Sequence, residues 1–139
     1  DIEHGILRCS SWKYGGGYLS KIITTKFEKK FRVKKVDPRI HFALNCGAKS
    51  CPPIYFYKVS NLDIQLNQAT EAYLETEINY DLQDKTLNLS SLFFWYQGDF
   101  GGKKGVILFL QKYGYPIYTD IHLKYTPYDW DLTLSKYKT

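Results

Sequence analysis

From Asp37 to Ile54 the chain reads Asp-Pro-Arg-Ile-His-Phe-Ala-Leu-Asn-Cys-Gly-Ala-Lys-Ser-Cys-Pro-Pro-Ile, and this stretch constrains the fold more than any other. Asp37-Pro38 is a turn, because proline fixes φ and carries no amide donor. The apolar run from Ile40 to Cys46 then reads as a central strand, which Gly47 and the Pro52-Pro53 pair interrupt. A buried strand that runs into a cysteine and a glycine-proline loop is a place where chemistry can sit. On a regular strand, alternate side chains point to opposite faces. Ile40, Phe42, Leu44 and Cys46 then share one face, and His41, Ala43 and Asn45 the other, so parity argues against His41 as a partner of Cys46.

The flanking segments supply helices and further strands. Asp1 can cap a short helix reaching Leu7 or Arg8, with Ile2, Ile6 and Leu7 inward. Gly15 to Gly17 break the pattern, and Phe31 to Val36 alternates loosely enough for a lysine-rich edge strand. Ser60 followed by Asp63 resembles a capping box, after which Leu62, Leu66, Ala69 and Tyr73 recur at helical spacing towards Ile78. Lys85 to Leu89 reads as a short strand. Ser90 or Ser91 then caps a second helix through Tyr96, ended by Gly101-Gly102, and Lys104 to Tyr113 forms a third. In the last strand Ile117, Thr119, Ile121, Leu123 and Tyr125 alternate with Tyr118, Asp120, His122 and Lys124, which turns His122 to water. The pattern predicts one α+β domain over residues 1–139, a small antiparallel or mixed sheet packed with about four helices.

Charge narrows the function classes. The net charge is +5 and unevenly spread. Between Lys21 and Lys58 only Glu28 and Asp37 offset a dense run of lysines and arginines, whereas Val59 to Asp84 carries acids and no base. Lys26, Lys29, Lys30, Arg32, Lys34 and Lys35 can attract an anionic polymer or surface, although a solvated basic face is the simpler reading. The 13 tyrosines sit mostly beside other apolar residues, as core and rim positions do, so nucleic acid binding is not expected. No apolar run is long enough for a transmembrane helix. With no methionine and no signal segment before Asp1, the chain is expected to be a processed or trimmed piece of a longer product.

Cys9, Cys46 and Cys51 are an odd number of thiols, so at least one is free or pairs outside the chain. Cys46 and Cys51 can close a small loop in an oxidising compartment. C-x4-C without a second pair lacks structural zinc spacing, and neither a metal nor another cofactor is expected.

Four ordered islands carry a family resemblance: Asp1-Ile-Glu-His-Gly-Ile-Leu-Arg8, the Asp37 to Ile54 stretch, Leu92-Phe-Phe-Trp-Tyr-Gln-Gly-Asp-Phe100 and Tyr125-Thr-Pro-Tyr-Asp-Trp-Asp-Leu132. In these the chain resembles the DUF547 family, which has been linked to papain-like cysteine proteases. The resemblance implies a cysteine-hydrolase-like fold, and a rearranged one, because His4 precedes Cys46 whereas papain-like enzymes usually place cysteine before histidine. It also implies an aromatic helix upstream of Asp1. The domain is therefore expected to be N-terminally incomplete, its exposed apolar patch covered by another polypeptide segment or chain.

A cysteine nucleophile needs a base and a group that orients the base. The resemblance points to Cys46 as nucleophile and His4 as base. Glu3 is the weaker third member, because neighbours on a helix project about 100° apart. Asp129 is the alternative orienter and Cys51 the alternative nucleophile, read as the more exposed of the two thiols. Gly47 would let backbone amides approach an oxyanion. Cys9 has no role, and Asp99 and Trp95 organise helix packing. The resemblance implies a cysteine-hydrolase-like function, a protease or acyl-transfer activity of a Cys-His pair on a peptide substrate. The competing expectation is a non-catalytic interaction module in which the same residues hold the fold.

Overall fold

The computed structural model describes residues 2–12, 14–81, 83–117 and 121–132. In chain order its elements are a π-helical turn Ile2–Leu7, α1 Lys26–Phe31, a 3-10 turn Pro38–Phe42, a 3-10 turn Val59–Asn61, α2 Leu62–Glu77, β1 Asn79–Asp81, β2 Thr86–Ser90, α3 Ser91–Trp95, α4 Gly102–Lys112 and β3 His122–Thr126. The fold is α+β. The chain organises into two compact units, Asp1–Pro38 with Leu92–Ile121 and Arg39–Ser91 with His122–Thr139.

In the first unit, residues 10–21 form a hairpin-like excursion. Trp12 donates its amide to Leu19 O at 2.6 Å and Lys21 to Ser10 O at 2.7 Å. At its tip the Gly98 amide donates to Gly16 O at 2.7 Å, an approach so close that a Cβ on Gly98 would collide with the Gly17 backbone. The core of this unit is Phe93, Phe100, Val106, Leu110, Ile117 and Ile121, with the Phe93 and Phe100 rings 5.1 Å apart. Val106 and Leu110 stand four residues apart, so both fall on the buried face of α4.

The expected edge strand at Phe31 to Val36 is absent: helix α1 runs up to Phe31, and Arg32 to Val36 follow it without regular structure. Thr25 and Glu28 form a capping box: the Glu28 amide donates to Thr25 Oγ1 at 3.1 Å and the Thr25 amide to Glu28 Oε2 at 2.9 Å. That reciprocal pair satisfies two orphan amides at the start of α1, which takes Phe31 into a helix.

In the second unit, β2 lies between β1, antiparallel, and β3, parallel, with Thr86 opposite His122 and Ser90 opposite Thr126. β3 shows the expected alternation, with His122, Lys124 and Thr126 exposed; Tyr118, Thr119 and Asp120, where the strand was also expected, lie outside the described residues. α2 lays Leu66, Ala69, Thr70, Tyr73 and Leu74 against a core shared with Phe42, Leu87 and Leu89. Leu62, expected to be inward, is exposed. Its start differs as well. Asn61 makes no side-chain cap; instead Gln65 accepts the Lys58 amide at 2.8 Å and donates to Phe56 O at 2.9 Å. Gly101 heads α4 rather than closing the preceding helix, since α3 ends at Trp95.

The expected strand from Ile40 to Cys46 is absent. Pro38–Phe42 is a 3-10 turn, and the Ala43 and Leu44 amides both donate to Ile40 O at 3.0 Å. Ile40, His41 and Phe42 are buried in succession, which a turn folded into a core permits and a half-buried strand does not. Proline at the first position of a helical turn is pre-set for that geometry. The parity argument against His41 falls with the strand.

Candidate functional site

The second unit holds the two thiols of the Asp37 to Ile54 stretch in a stapled loop. Beyond Leu44 the backbone turns at Gly47, whose φ of +89° lies in the left-handed region. Asn45 fastens the loop from within: its Oδ1 accepts the Gly47 amide at 2.7 Å and its Nδ2 donates to Pro52 O at 2.5 Å. The segment Tyr128 to Leu132 fastens it from outside. Lys49 donates its amide to Asp131 O at 2.8 Å, Ser50 donates to Asp129 O at 3.2 Å, and Ala48 bridges Leu132. Lys49 Nζ pairs with Asp129 Oδ2 at 2.9 Å, which lowers the pKa of the Asp129 carboxyl and raises that of Lys49.

Within this loop Cys46 is exposed and Cys51 buried, the reverse of the sequence expectation for Cys51. The reason is the loop closure: the Cys51 amide donates to Ala48 O at 3.0 Å and the Tyr128 hydroxyl reaches its sulfur, while Cys46 sits at the turn. The two Sγ atoms are 2.7 Å apart. Cys51 Sγ also receives the Cys46 amide at 3.1 Å and the Tyr128 hydroxyl at 3.2 Å. Burial pushes the Cys51 thiol up, but donation from the Cys46 thiol, the Tyr128 hydroxyl and backbone amides outweighs it, and the net shift is downward. Cys46 moves upward, through burial first and then the adjacent Cys51 sulfur. Of the two thiols, Cys51 is therefore the first to lose its proton as pH rises. Burial drives the Tyr128 hydroxyl upward, and the hydrogen bond to Cys51 adds to it, so it remains a donor.

The backbone amides at the Gly47 turn, where an approach to an oxyanion was expected, have partners inside the loop. The Gly47 amide goes to Asn45 Oδ1 and the Cys46 amide to Cys51 Sγ.

His4 and Glu3 belong to the first unit, in a polar cluster around Arg8. Arg8 is fully buried. Its Nε donates to Asp99 Oδ2 at 2.5 Å, its Nη1 to His4 Nδ1 at 2.7 Å, and its guanidinium lies 4.6 Å from the centre of the Tyr96 ring. A guanidinium only donates, so His4 Nδ1 accepts and the proton of the neutral imidazole rests on Nε2. Glu3 Oε1 stands 3.8 Å from His4 Nδ1, beyond hydrogen-bond distance, and accepts instead from Tyr96 Oη at 3.1 Å. Burial, followed by the Glu3 carboxylate, raises the Tyr96 hydroxyl pKa.

The DUF547 profile, described as "Protein of unknown function, DUF547", matches residues 1–74, more than half of the chain. The chain belongs to the DUF547 family. No curated protein and no solved structure gives a significant match. The DUF547 match takes in Glu3, His4, Cys46 and Cys51, and it ends on α2. The islands at Leu92 to Phe100 and Tyr125 to Leu132 lie beyond it, yet they supply Asp99 and Tyr128 to the two clusters. Asp129, weighed as an orienter of His4, is engaged by Lys49 and by the Asp131 amide at 3.0 Å.

Sequence reasoning missed Arg8, Asn45 and Tyr128. Arg8 stood as the last residue of a conspicuous island, and a base there facing an otherwise apolar helix side was a signal. Tyr128 stood in the fourth island, but nothing local ties it to a cysteine 77 positions away. Among the described residues, no group of three or more His, Cys, Asp or Glu side chains is placed to hold a metal ion. Among them, too, no helix is long and apolar enough to cross a membrane.

Proposed function

We propose that this DUF547 chain is a cysteine-hydrolase-like domain whose reacting atom is Cys46 Sγ, transferring an acyl group from a peptide or related substrate. One observation carries the reading: an exposed thiol stands 2.7 Å from a buried sulfur whose pKa the surrounding hydrogen-bond donors lower. Cys51 is then the proton acceptor for Cys46. As Cys46 Sγ attacks the acyl carbon, its proton passes to Cys51 Sγ; the tetrahedral adduct collapses to a thioester, and the leaving group departs with that proton. Water then cleaves the thioester, returning the carboxylic acid, the Cys46 thiol and the Cys51 thiolate. A thiol of raised pKa is the stronger nucleophile once deprotonated, which suits Cys46 to attack and Cys51 to hold charge.

His4 is not the base in this reading, because Arg8 donates to Nδ1 and leaves the imidazole proton on Nε2. The buried Arg8, Asp99 and Tyr96 hold that tautomer. A papain-like arrangement is part of the same proposal.

The test uses 4-nitrophenyl acetate as a generic acyl donor. A burst of nitrophenol with acetate found on Cys46 by mass spectrometry is expected, and Cys51→Ala should slow the burst while leaving the protein folded. Acylation of Cys46 no faster than that of the urea-unfolded chain would overturn the proposal.

A further inference from the structure

The first unit carries a second surface unrelated to the thiols. Trp12, Lys21, Ile22 and Ile23 line a pocket of about 360 Å³. Ile22 and Ile23 are 89% and 88% exposed, so two adjacent β-branched side chains stand in water at its rim. Such residues are ordinarily buried, and contiguous exposed apolar side chains mark interaction sites. The chain then enters α1, where the Phe27 and Phe31 rings pack on one another 4.7 Å apart and both remain more than half exposed.

Charge decides what fits. Glu28, the single acid between Lys21 and Val36, is already neutralised by Lys21 at 2.8 Å. The Lys21 ammonium, followed by the Thr25 amide, pulls the Glu28 pKa down to about 2. Lys26, Lys29, Lys30, Arg32, Lys34 and Lys35 are all exposed, leaving a dense positive field beside the apolar pocket. A second copy presenting the same face would oppose like charges. A lipid bilayer offers a flat, fluid surface, whereas the pocket is a concavity sized for one or two side chains.

We infer that the Trp12–Ile22–Ile23 pocket and the lysine-rich helix behind it form a docking groove for an acidic amphipathic helix of a partner polypeptide. Its apolar side chains enter the pocket and its Glu or Asp side chains meet the α1 lysines, in the helix-in-groove manner.

The probe is a synthetic 18-residue helix of leucine and glutamate with an apolar stripe. Its controls are a lysine counterpart with the same stripe, a scrambled glutamate peptide, and vesicles of anionic phospholipid. The leucine-glutamate helix is expected to bind and shift tryptophan emission. Ile22→Asp with Ile23→Asp should weaken it by about tenfold or more, the loss of two buried apolar contacts. Lys29→Glu with Lys30→Glu should weaken it further at low salt than at high salt. These four positions are exposed, so circular dichroism of the variants should match the parent. Equal binding of the lysine counterpart or the scrambled peptide, binding indifferent to the Ile22 and Ile23 changes, vesicle binding without peptide binding, or self-association in place of peptide binding would each overturn the inference.

Discussion

Asp99→Ala tests the Arg8 cluster most directly. The side chains of Arg8 and Asp99 are 0% and 1% exposed, so the ion pair is shielded from solvent. Removing Asp99 leaves a buried guanidinium with His4 Nδ1 and the Tyr96 ring, and its Nη2 already finds no hydrogen-bond partner among the described residues. Leaving one charge of a buried pair uncompensated costs about 3–5 kcal/mol. A protein of this size is stable by about 5–15 kcal/mol, so the change removes a third or more in most of that range. Urea unfolding followed by circular dichroism should show a lower midpoint at constant slope. The control is Asp63→Ala, which breaks the Arg39 to Asp63 pair at 2.7 Å; Asp63 is 78% exposed, and such a pair contributes about 0–1 kcal/mol. Arg8→Met combined with Asp99→Leu should recover most of the loss, because apolar groups of similar volume tolerate burial. A cost for Asp99→Ala no larger than for Asp63→Ala would refute the reasoning.

Four further outcomes follow from the same geometry. Nitrogen-15 shifts of His4 should show an unprotonated Nδ1 and a protonated Nε2, and Arg8→Met should release that preference; an Nδ1-protonated ring in the parent would contradict the assignment. The Glu28 pKa, lowered from 4.5 to about 2, adds stability that is full above 4.5 and is lost as pH falls through about 2. Carbon-13 titration should place it there, and Lys21→Met should move it up. Gly47→Ala should cost about 1–2 kcal/mol in thermal unfolding, from backbone strain alone, since a Cβ would meet only Leu132 Cδ2 at an ordinary 3.8 Å. Tyr128→Phe removes a donor from Cys51, so thiolate absorbance of that residue should appear at higher pH; an unmoved titration would show that the hydroxyl does not hold the charge.

Local pattern decided much of the fold. The spacing of Leu66, Ala69 and Tyr73 marks the buried face of α2, and the alternation of His122, Leu123, Lys124 and Tyr125 marks β3. Both signals arise from backbone periods of 3.6 and 2, which any single amphipathic element displays along its own length. Thr25-x-x-Glu28 was equally local and would have identified α1. Glu3, His4, Cys46 and Cys51 were legible as residue types in conspicuous islands, and the DUF547 match encompasses them.

Tertiary structure alone decided what those residues can do. Ile40 to Cys46 has the composition of a strand, yet Pro38–Phe42 folds as a turn because three successive side chains find burial in the core. Cys51 beside two prolines looks exposed, yet it is buried, and the Cys46 thiol together with Tyr128, brought from 77 positions away, draws its pKa downward. Arg8 and Asp99 are 91 positions apart, and their pairing sets the tautomer of His4. Burial, and the electrostatics that burial controls, depend on which distant segments share a core, and the period of a sequence carries no record of that choice.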